Sequence, residues 1–433
     1  MTEEIIEAAE DNEPDDAFAG LAAGLLVVSD ANWVHRRVET IDILSTELSR
    51  RTVSVDFTVP PTLRSPLQVA KGEVLVPIAT LEKAPLRHFD LRDERGGVVP
   101  CLEQRANGEI ATHALVELAT LALEDAEMPS PGDRLRADLR TIATARRSPA
   151  EAALSGLYQA ADSGDPECSL VLADEIFALL LSILATDFIL FAVVESAERR
   201  RVLKYGYDEP LADQRSQRLR LVQGLGLAPL AFQIDVPVAA GCRSYHAEVV
   251  IPEELRLSYA ELVDGRSGEA LADGDIDSDR GALHAPDVDV LAQPELLVAI
   301  GAERAGFITV AACVTGAITL ALWAGATLLP PDPTQAAPSV AILFASSALV
   351  SGALTQRGEH RLVSAFFAPL RGLLGLAALV ALVAASVLAL GASACVVDIV
   401  WSSAAGVASL LSALFAVAWW KARGRQVSRA END

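Results

Sequence analysis

Lysine is nearly missing from this sequence. Lys71, Lys83, Lys204 and Lys421 stand against 31 arginines in 433 residues. With the abundance of alanine, that bias points to a high-GC bacterial gene and carries no chemistry of its own. Cysteine is scarce as well. Cys101, Cys168, Cys242, Cys313 and Cys395 are widely spaced, odd in number and form no CxxC. This excludes a disulfide framework and a zinc framework. It fits a reducing compartment in which the thiols behave as small apolar groups.

Catalytic signatures are also missing. There is no HExxH, no glycine loop followed by lysine for phosphate, and no GxSxG elbow. Gly224-Leu225-Gly226-Leu227 opens like a dinucleotide loop but continues Ala228-Pro229, with no clear strand before it. His35, His88, His113, His246, His284 and His360 stand apart along the chain. Asp273-Gly274-Asp275-Ile276-Asp277-Ser278-Asp279 alternates carboxylates as a hard-cation loop does. An EF-hand needs glycine at its sixth place and glutamate at its twelfth. Those places hold Ser278 and His284 counted from Asp273, or Arg280 and Pro286 counted from Asp275. The stretch therefore reads as a solvated acidic loop within a flexible Asp264–Arg280 segment. Arg199-Arg200-Arg201 reads as a solvated hairpin turn rather than a headgroup site. The many carboxylates allow an acid/base pair, but the sequence brings no two of them together. No residue is assigned to catalysis, to a cofactor or to a metal, and no cofactor is expected.

What is present is a divided chain. The first 305 residues hold 28 bases and 53 acids; the remainder holds seven bases and five acids. A field as negative as that of the first part repels nucleic acid, so no nucleic-acid partner is expected. Residues 1–16 carry eight acids and no base, the reverse of a secretory signal. Residues 1–30 are read as an acidic N-terminal tail.

From residue 306 the sequence is mostly Ala, Leu, Val, Gly and Ser. Four uncharged runs follow one another: Gly306–Leu329, Ala336–Leu354, Gly372–Ala394 and Ile399–Trp420. The first would span about 36 Å as a helix, enough for a hydrocarbon core of about 30 Å. Trp419 and Trp420 followed by Lys421 make an interface signature. Arg304, Arg357, Arg361, Arg371, Lys421, Arg423, Arg425 and Arg429 fall on one side of such a bundle. The other two connections, Pro330–Gln335 and Cys395–Asp398, have no base. The positive-inside rule then places both termini in the cytoplasm. Small residues repeat at helical spacing: Ala312/Gly316 and Ala321/Gly325 on the first run, and Ser402, Gly406, Ser409 and Ala413 on the fourth. A fifth apolar stretch, Ile176–Val194, is interrupted by Asp187. It reads as a buried helix ending near Thr186 and then a strand, because a charge at mid-membrane is costly.

Residues 31–305 read as α+β. Strands are predicted at 38–45, 52–60, 73–82, 86–93 and 98–103, the last two joined by the Glu94-Arg95-Gly96-Gly97 turn. Thr52–Pro60 alternates Val53, Val55, Phe57 and Val59 against polar residues. Pro77 suggests an edge or a bulge in its strand. Helices are predicted at 109–125 with Asn107 as N-cap, at 133–145, at 148–161 with a Ser148-Pro149-Glu151 cap, and at 168–186. Strands return at 188–195 and 200–207, as a hairpin, and at 228–237, 243–252, 256–262 and 296–300. Strand clusters at 38–103 and 187–301 thus flank a helical insertion at 107–186, either as one sandwich or as two small domains. Residues 306–420 form a four-helix transmembrane domain, and 421–433 a basic cytoplasmic tail.

The expected protein is a multi-pass bacterial inner-membrane protein. Its partners are the lipid bilayer and a protein partner or a second copy of itself. Its cytoplasmic region senses or binds without catalysis. The alternative is an oligomeric pore or membrane-permeabilising effector gated by the soluble region. A third reading is an enzyme built on an unrecognised carboxylate site.

Overall fold

The computed structural model describes residues 33–59, 68–70, 72–124, 126–195, 199–211, 222–223, 228–289, 292–302, 307–328 and 360–430. The acidic tail, Gly224–Leu227 and the second apolar run lie outside these residues. The strand at 73–82 matches its predicted bounds, with a register shift between Pro77 and Ala79 that is the expected bulge.

The chain opens with β1 (Val34–Ile43), β2 (Leu48–Phe57), β3 (Gln68–Ala70), β4 (Glu73–Glu82) and β5 (Arg87–Asp93). Five helices follow: α1 (Gln104–Glu124), α2 (Asp133–Thr144), α3 (Arg147–Asp162), α4 (Pro166–Ala173) and α5 (Glu175–Thr186). Then come β6 (Asp187–Glu195), β7 (Arg201–Pro210), β8 (Leu230–Asp235), β9 (Ser244–Val250), β10 (Leu255–Asp264), β11 (Ala270–Asp277), β12 (Arg280–Pro286) and β13 (Pro294–Ala302). This is a β-rich region with a helical insertion.

Strands from before and after the insertion share both sheets. The large sheet has ten strands in the order β5-β7-β2-β1-β9-β12-β11-β10-β13-β8, and a small one has the order β3-β4-β6. Only β1 and β9 pair in parallel among the described ladders; the rest are antiparallel. The large sheet coils back on itself. Arg51 in β2 donates to the Asp235 carbonyl at the end of β8, and Arg37 in β1 donates to the Val238 and Ala240 carbonyls just beyond it. The inward face is apolar because alternation puts Ile41, Ile43, Val53, Val55 and Phe57 on the same side.

Several expectations change. β6 and β7 are not a hairpin: β6 pairs with β4, and β7 pairs with β2 and β5. The turn after β5 forms, with Gly96 at φ +81, but its returning arm makes only isolated bridges, Val98 to Arg92 and Cys101 to Ala192. Asn107 lies inside α1, where its amide donates to the Leu102 carbonyl and its oxygen accepts from the Phe191 amide, so it ties the helix to β6 instead of capping it. Arg146, not Ser148, occupies the α3 N-cap position. The predicted single helix at 168–186 breaks at Asp174, whose carboxylate accepts from the Phe177 amide as the N-cap of α5. The α4–α5 pair is apolar enough for a membrane but bent by 96°. α5 buries Phe177, Leu180, Leu181 and Leu184 in the core, and the strand β6 starts directly after it, as predicted.

The Asp264–Arg280 segment is ordered as β11 and the turn into β12, not as a loop. In β11, Asp273, Asp275 and Asp277 point outward while Gly274 and Ile276 alternate inward. A Cβ on Gly274 would lie 2.6 Å from the Ala260 carbonyl oxygen, so glycine is what lets β10 cross this closely.

Three described helices are long and apolar enough to cross a membrane: α6 (Phe307–Leu328), α7 (Arg361–Ala389) and α8 (Ala394–Ala430). α7 starts well before the predicted Gly372. α8 absorbs the predicted Cys395–Asp398 connection, leaving Leu390–Ser393 as the turn, with Gly391 at φ +69. The buried face of α8 is Trp401, Ala404, Ala405, Ala408, Leu411, Phe415 and Ala418, at helical spacing.

Candidate functional site

A cleft of about 590 Å³ opens where the coiled large sheet meets the small sheet and α5. β1 contributes Arg37, β4 contributes Ala79, Thr80 and Glu82, and α5 contributes Leu179, Ser182 and Ile183. Asp187 enters from the start of β6, Glu209 from the end of β7, and Gln233 and Asp235 from β8. Glu295 comes from β13 and Arg147 from α3. Five carboxylates (Glu82, Asp187, Glu209, Asp235, Glu295) therefore face two guanidinium groups, Arg37 and Arg147.

Local structure fixes each of these groups. Glu82 and Asp187 are directly opposed across the β4/β6 ladder. The Thr186 hydroxyl donates to Asp187 at 2.6 Å. Burial pushes the Asp187 carboxyl above its ordinary range against that hydrogen bond, and Glu82 and Asp235 push the same way. Arg147 spans the rim, with Glu82 at 2.6 Å and Glu151 at 2.8 Å. Gln233 donates to Glu295 at 2.6 Å.

Behind the cleft runs a buried polar chain. Arg51, fully buried, donates Nε to Glu39 Oε1 at 2.5 Å and Nη1 to Glu209 Oε2 at 2.7 Å. Glu39, also fully buried, accepts from the Tyr245 hydroxyl at 2.6 Å. Burial opposes the charge on Arg51, but Glu39 and Glu209 outweigh it and hold the guanidinium pKa well above its ordinary value. Burial raises Glu209 despite Arg51 beside it. Burial likewise raises the phenols of Tyr205, Tyr207 and Tyr245. Among the described residues, Arg51 Nη2, Arg37 Nε and the Tyr205 hydroxyl make no hydrogen bond. Such a network is rigid where satisfied and sensitive where it is not. It sets the position of Glu209 on the cleft wall.

The sequence carries a signal for this network. The inward phase of Val53, Val55 and Phe57 runs back to Arg51, and that of Ile41 and Ile43 runs back to Glu39. A charge on the apolar phase of a strand is a buried charge that needs a partner.

The motifs singled out from sequence lie elsewhere. Asp273, Asp275 and Asp277 sit on the exposed face of β11, and no group of three or more potential ligands gathers among the described residues. Arg199, Arg200 and Arg201 pair with Glu94, Asp56 and Glu195. His35 contacts the Thr58 hydroxyl at 2.9 Å, and His113 is exposed on α1. The ring of His360 accepts from the Leu362 amide as the N-cap of α7. His88 Nδ1 lies 2.6 Å from Asp208, which Arg50 also holds and lowers. His246 and His284, far apart in sequence, stack with ring centroids 4.3 Å apart. Gly316 and Gly325 face Ser412 and Trp401 of α8. Ser402, Gly406 and Ala413 lie on its exposed side.

Comparison with protein-family models and with curated proteins gives no match for this chain.

Proposed function

We propose that this protein is a multi-pass membrane protein whose β-rich region binds a ligand or a protein partner in the acid-lined cleft, close to the cytoplasmic face of a bacterial inner membrane. The cleft is the observation that carries the reading. It joins both sheets and the helical insertion, so an occupant would bear on every part of the β-rich region at once. Binding rather than turnover is the expected role, with the membrane helices holding the region at the bilayer.

Four crossings and an inward basic side are part of the same proposal. α6 and α8 run antiparallel, since Gly316 faces Ser412 while Gly325 faces Trp401. Ile308 and Ala311 of α6, Leu362, Phe366 and Leu370 of α7, and Phe415 and Ala418 of α8 all belong to the core that is continuous with the β-rich region. Ile318 and Leu322 share another with Ala381, Ala385 and Trp401. This fits α6 and α7 running parallel, with the chain between them proposed to return across the bilayer. Ala336–Leu354 is the apolar run available for that return. The end of β13, the start of α7 with Arg361 and Arg371, and the basic end of α8 then share one side.

The test uses the full chain in nanodiscs. Native mass spectrometry is expected to show a co-purified or captured occupant that is lost in Ser182→Trp, which fills the cleft with an indole. In intact cells, a cysteine at position 332 is expected to react with an impermeant thiol reagent and one at position 200 not to. An occupant indifferent to Ser182→Trp would remove the cleft from the proposal. Reversed labelling would remove the orientation. Leakage of dye from protein-loaded liposomes would favour the pore alternative.

A further inference from the structure

We infer that His246 and His284 form a two-imidazole site for a borderline divalent transition-metal ion of the zinc, nickel or copper(II) class. The two residues are separated by 38 positions in sequence, but β9 and β12 pair antiparallel with His246 directly opposite His284. Their neighbours Tyr245, Ala247, Leu283 and Ala285 are buried, so the alternation of both strands turns the two rings to the outer face. There the rings stack, 24° from parallel. Both Nε2 atoms converge on one oxygen: Ser244 Oγ lies 3.1 Å from that of His246 and 3.3 Å from that of His284.

That hydroxyl lies roughly 1 Å farther from both nitrogens than an ion bonded to them would. Shortening these distances to the roughly 2.0–2.1 Å of a metal–imidazole bond requires side-chain rotation at the surface, not movement of the strands. Imidazole nitrogen suits zinc, copper and nickel, whereas magnesium and calcium take oxygen. The sheet holds the two ligands near one another beforehand, which reduces the ordering needed on binding. An ion also needs proton-free imidazole. Burial, the His284 ring and Arg36 all lower the pKa of His246. Arg36, from β1, is the charge that works against an ion here. Glu248, two residues along β9, is held by Arg280 of β12 at 3.1 Å. With two protein ligands, the remaining positions go to water or to a further ligand, so the ion would be open to exchange.

The experiment uses the full chain in detergent, stripped with chelator and dialysed. Calorimetric titration with zinc is expected to show one saturable ion. In His246→Gln and in His284→Gln the affinity is expected to fall by at least the roughly tenfold that loss of an outer-shell partner costs a metal site. His113→Gln, on the α1 surface, is expected to bind as the parent does. Copper(II) added to the parent is expected to show nitrogen hyperfine structure that the double variant lacks. A readout that needs no variant is carboethoxylation followed by mass spectrometry. Zinc is expected to protect His246 and His284 and to leave His113 reactive. Binding unchanged in the double variant, or equal modification of all three histidines with and without zinc, would overturn the inference.

Discussion

Trp401 of α8 fills the space a side chain on Gly325 of α6 would need: a methyl group built on Gly325 would overlap the edge of the indole ring. Trp401 is fully buried in the membrane bundle, and its Nε1 donates to the Ala384 carbonyl of α7 at 3.1 Å. One glycine therefore lets a single side chain link three helices. Close approach over glycine is a common way to pack helices where water supplies no driving force.

Gly325→Ala is expected to destabilise the bundle by about 1–3 kcal/mol through overpacking. The check is thermal unfolding in detergent. In a Trp401→Ala background the same change is expected to have little effect, because the ring it meets is gone. Additive losses in that double-mutant cycle would show that the contact does not couple the two positions.

Arg51 and Glu39 make the second test. Removing one partner leaves the other charge buried without compensation, which costs about 3–5 kcal/mol. Arg51→Met and Glu39→Leu are each expected to lose that much in denaturant unfolding. The double variant is expected to lose clearly less than the sum, because Glu39 and Arg51 are then removed together, and Glu209 loses its Arg51 partner in the single and the double variant alike. Glu209 also loses its partner in Arg51→Met and turns toward the cleft, so this single variant is expected to alter cleft binding too.

Lys83 gives a signature in pH. Its amino group donates to the Ile142 carbonyl of α2. Burial lowers its pKa from 10.5 to about 8, against the pull of Asp187. Between these values the unfolded chain holds more protons than the folded one, so stability rises with pH across that window. Below about pH 8 both states carry the proton, and the penalty of burying the charge is present in full. Lys83→Met is expected to remove this rise. Subtracting its stability profile from that of the parent isolates Lys83 from the tyrosines and cysteines that titrate nearby. A flat difference from pH 8 to 10.5 would refute the assignment.

Much of this was legible from local pattern alone. Periodicity of two in Thr52–Pro60 gave the buried face of β2, because alternate side chains of a strand point to opposite faces; β4 was legible as a strand with a bulge at Pro77, where Val76 to Ala79 are all buried. Uncharged length gave α6, α7 and α8, because only a helix satisfies its own backbone in lipid. The same rules misread Asp273–Asp279. Its inward residues are Gly274 and Ile276, and a glycine hides the apolar half of the alternation. The fourth apolar run is a helix as read, but alanine on every side leaves its packing face to be chosen by the partners α6 and α7.

Sequence by itself determined where the chain turns apolar, most of the extended and helical segments, and how unevenly charge is divided, since each follows from neighbours a few residues apart. Which strands pair across the insertion, that five separated carboxylates meet in one cleft, that Arg51 finds Glu39 and Glu209, and that His246 meets His284 were decided only by the tertiary structure. Those contacts depend on strand register and on how the large sheet coils, and both are settled by the whole core packing at once.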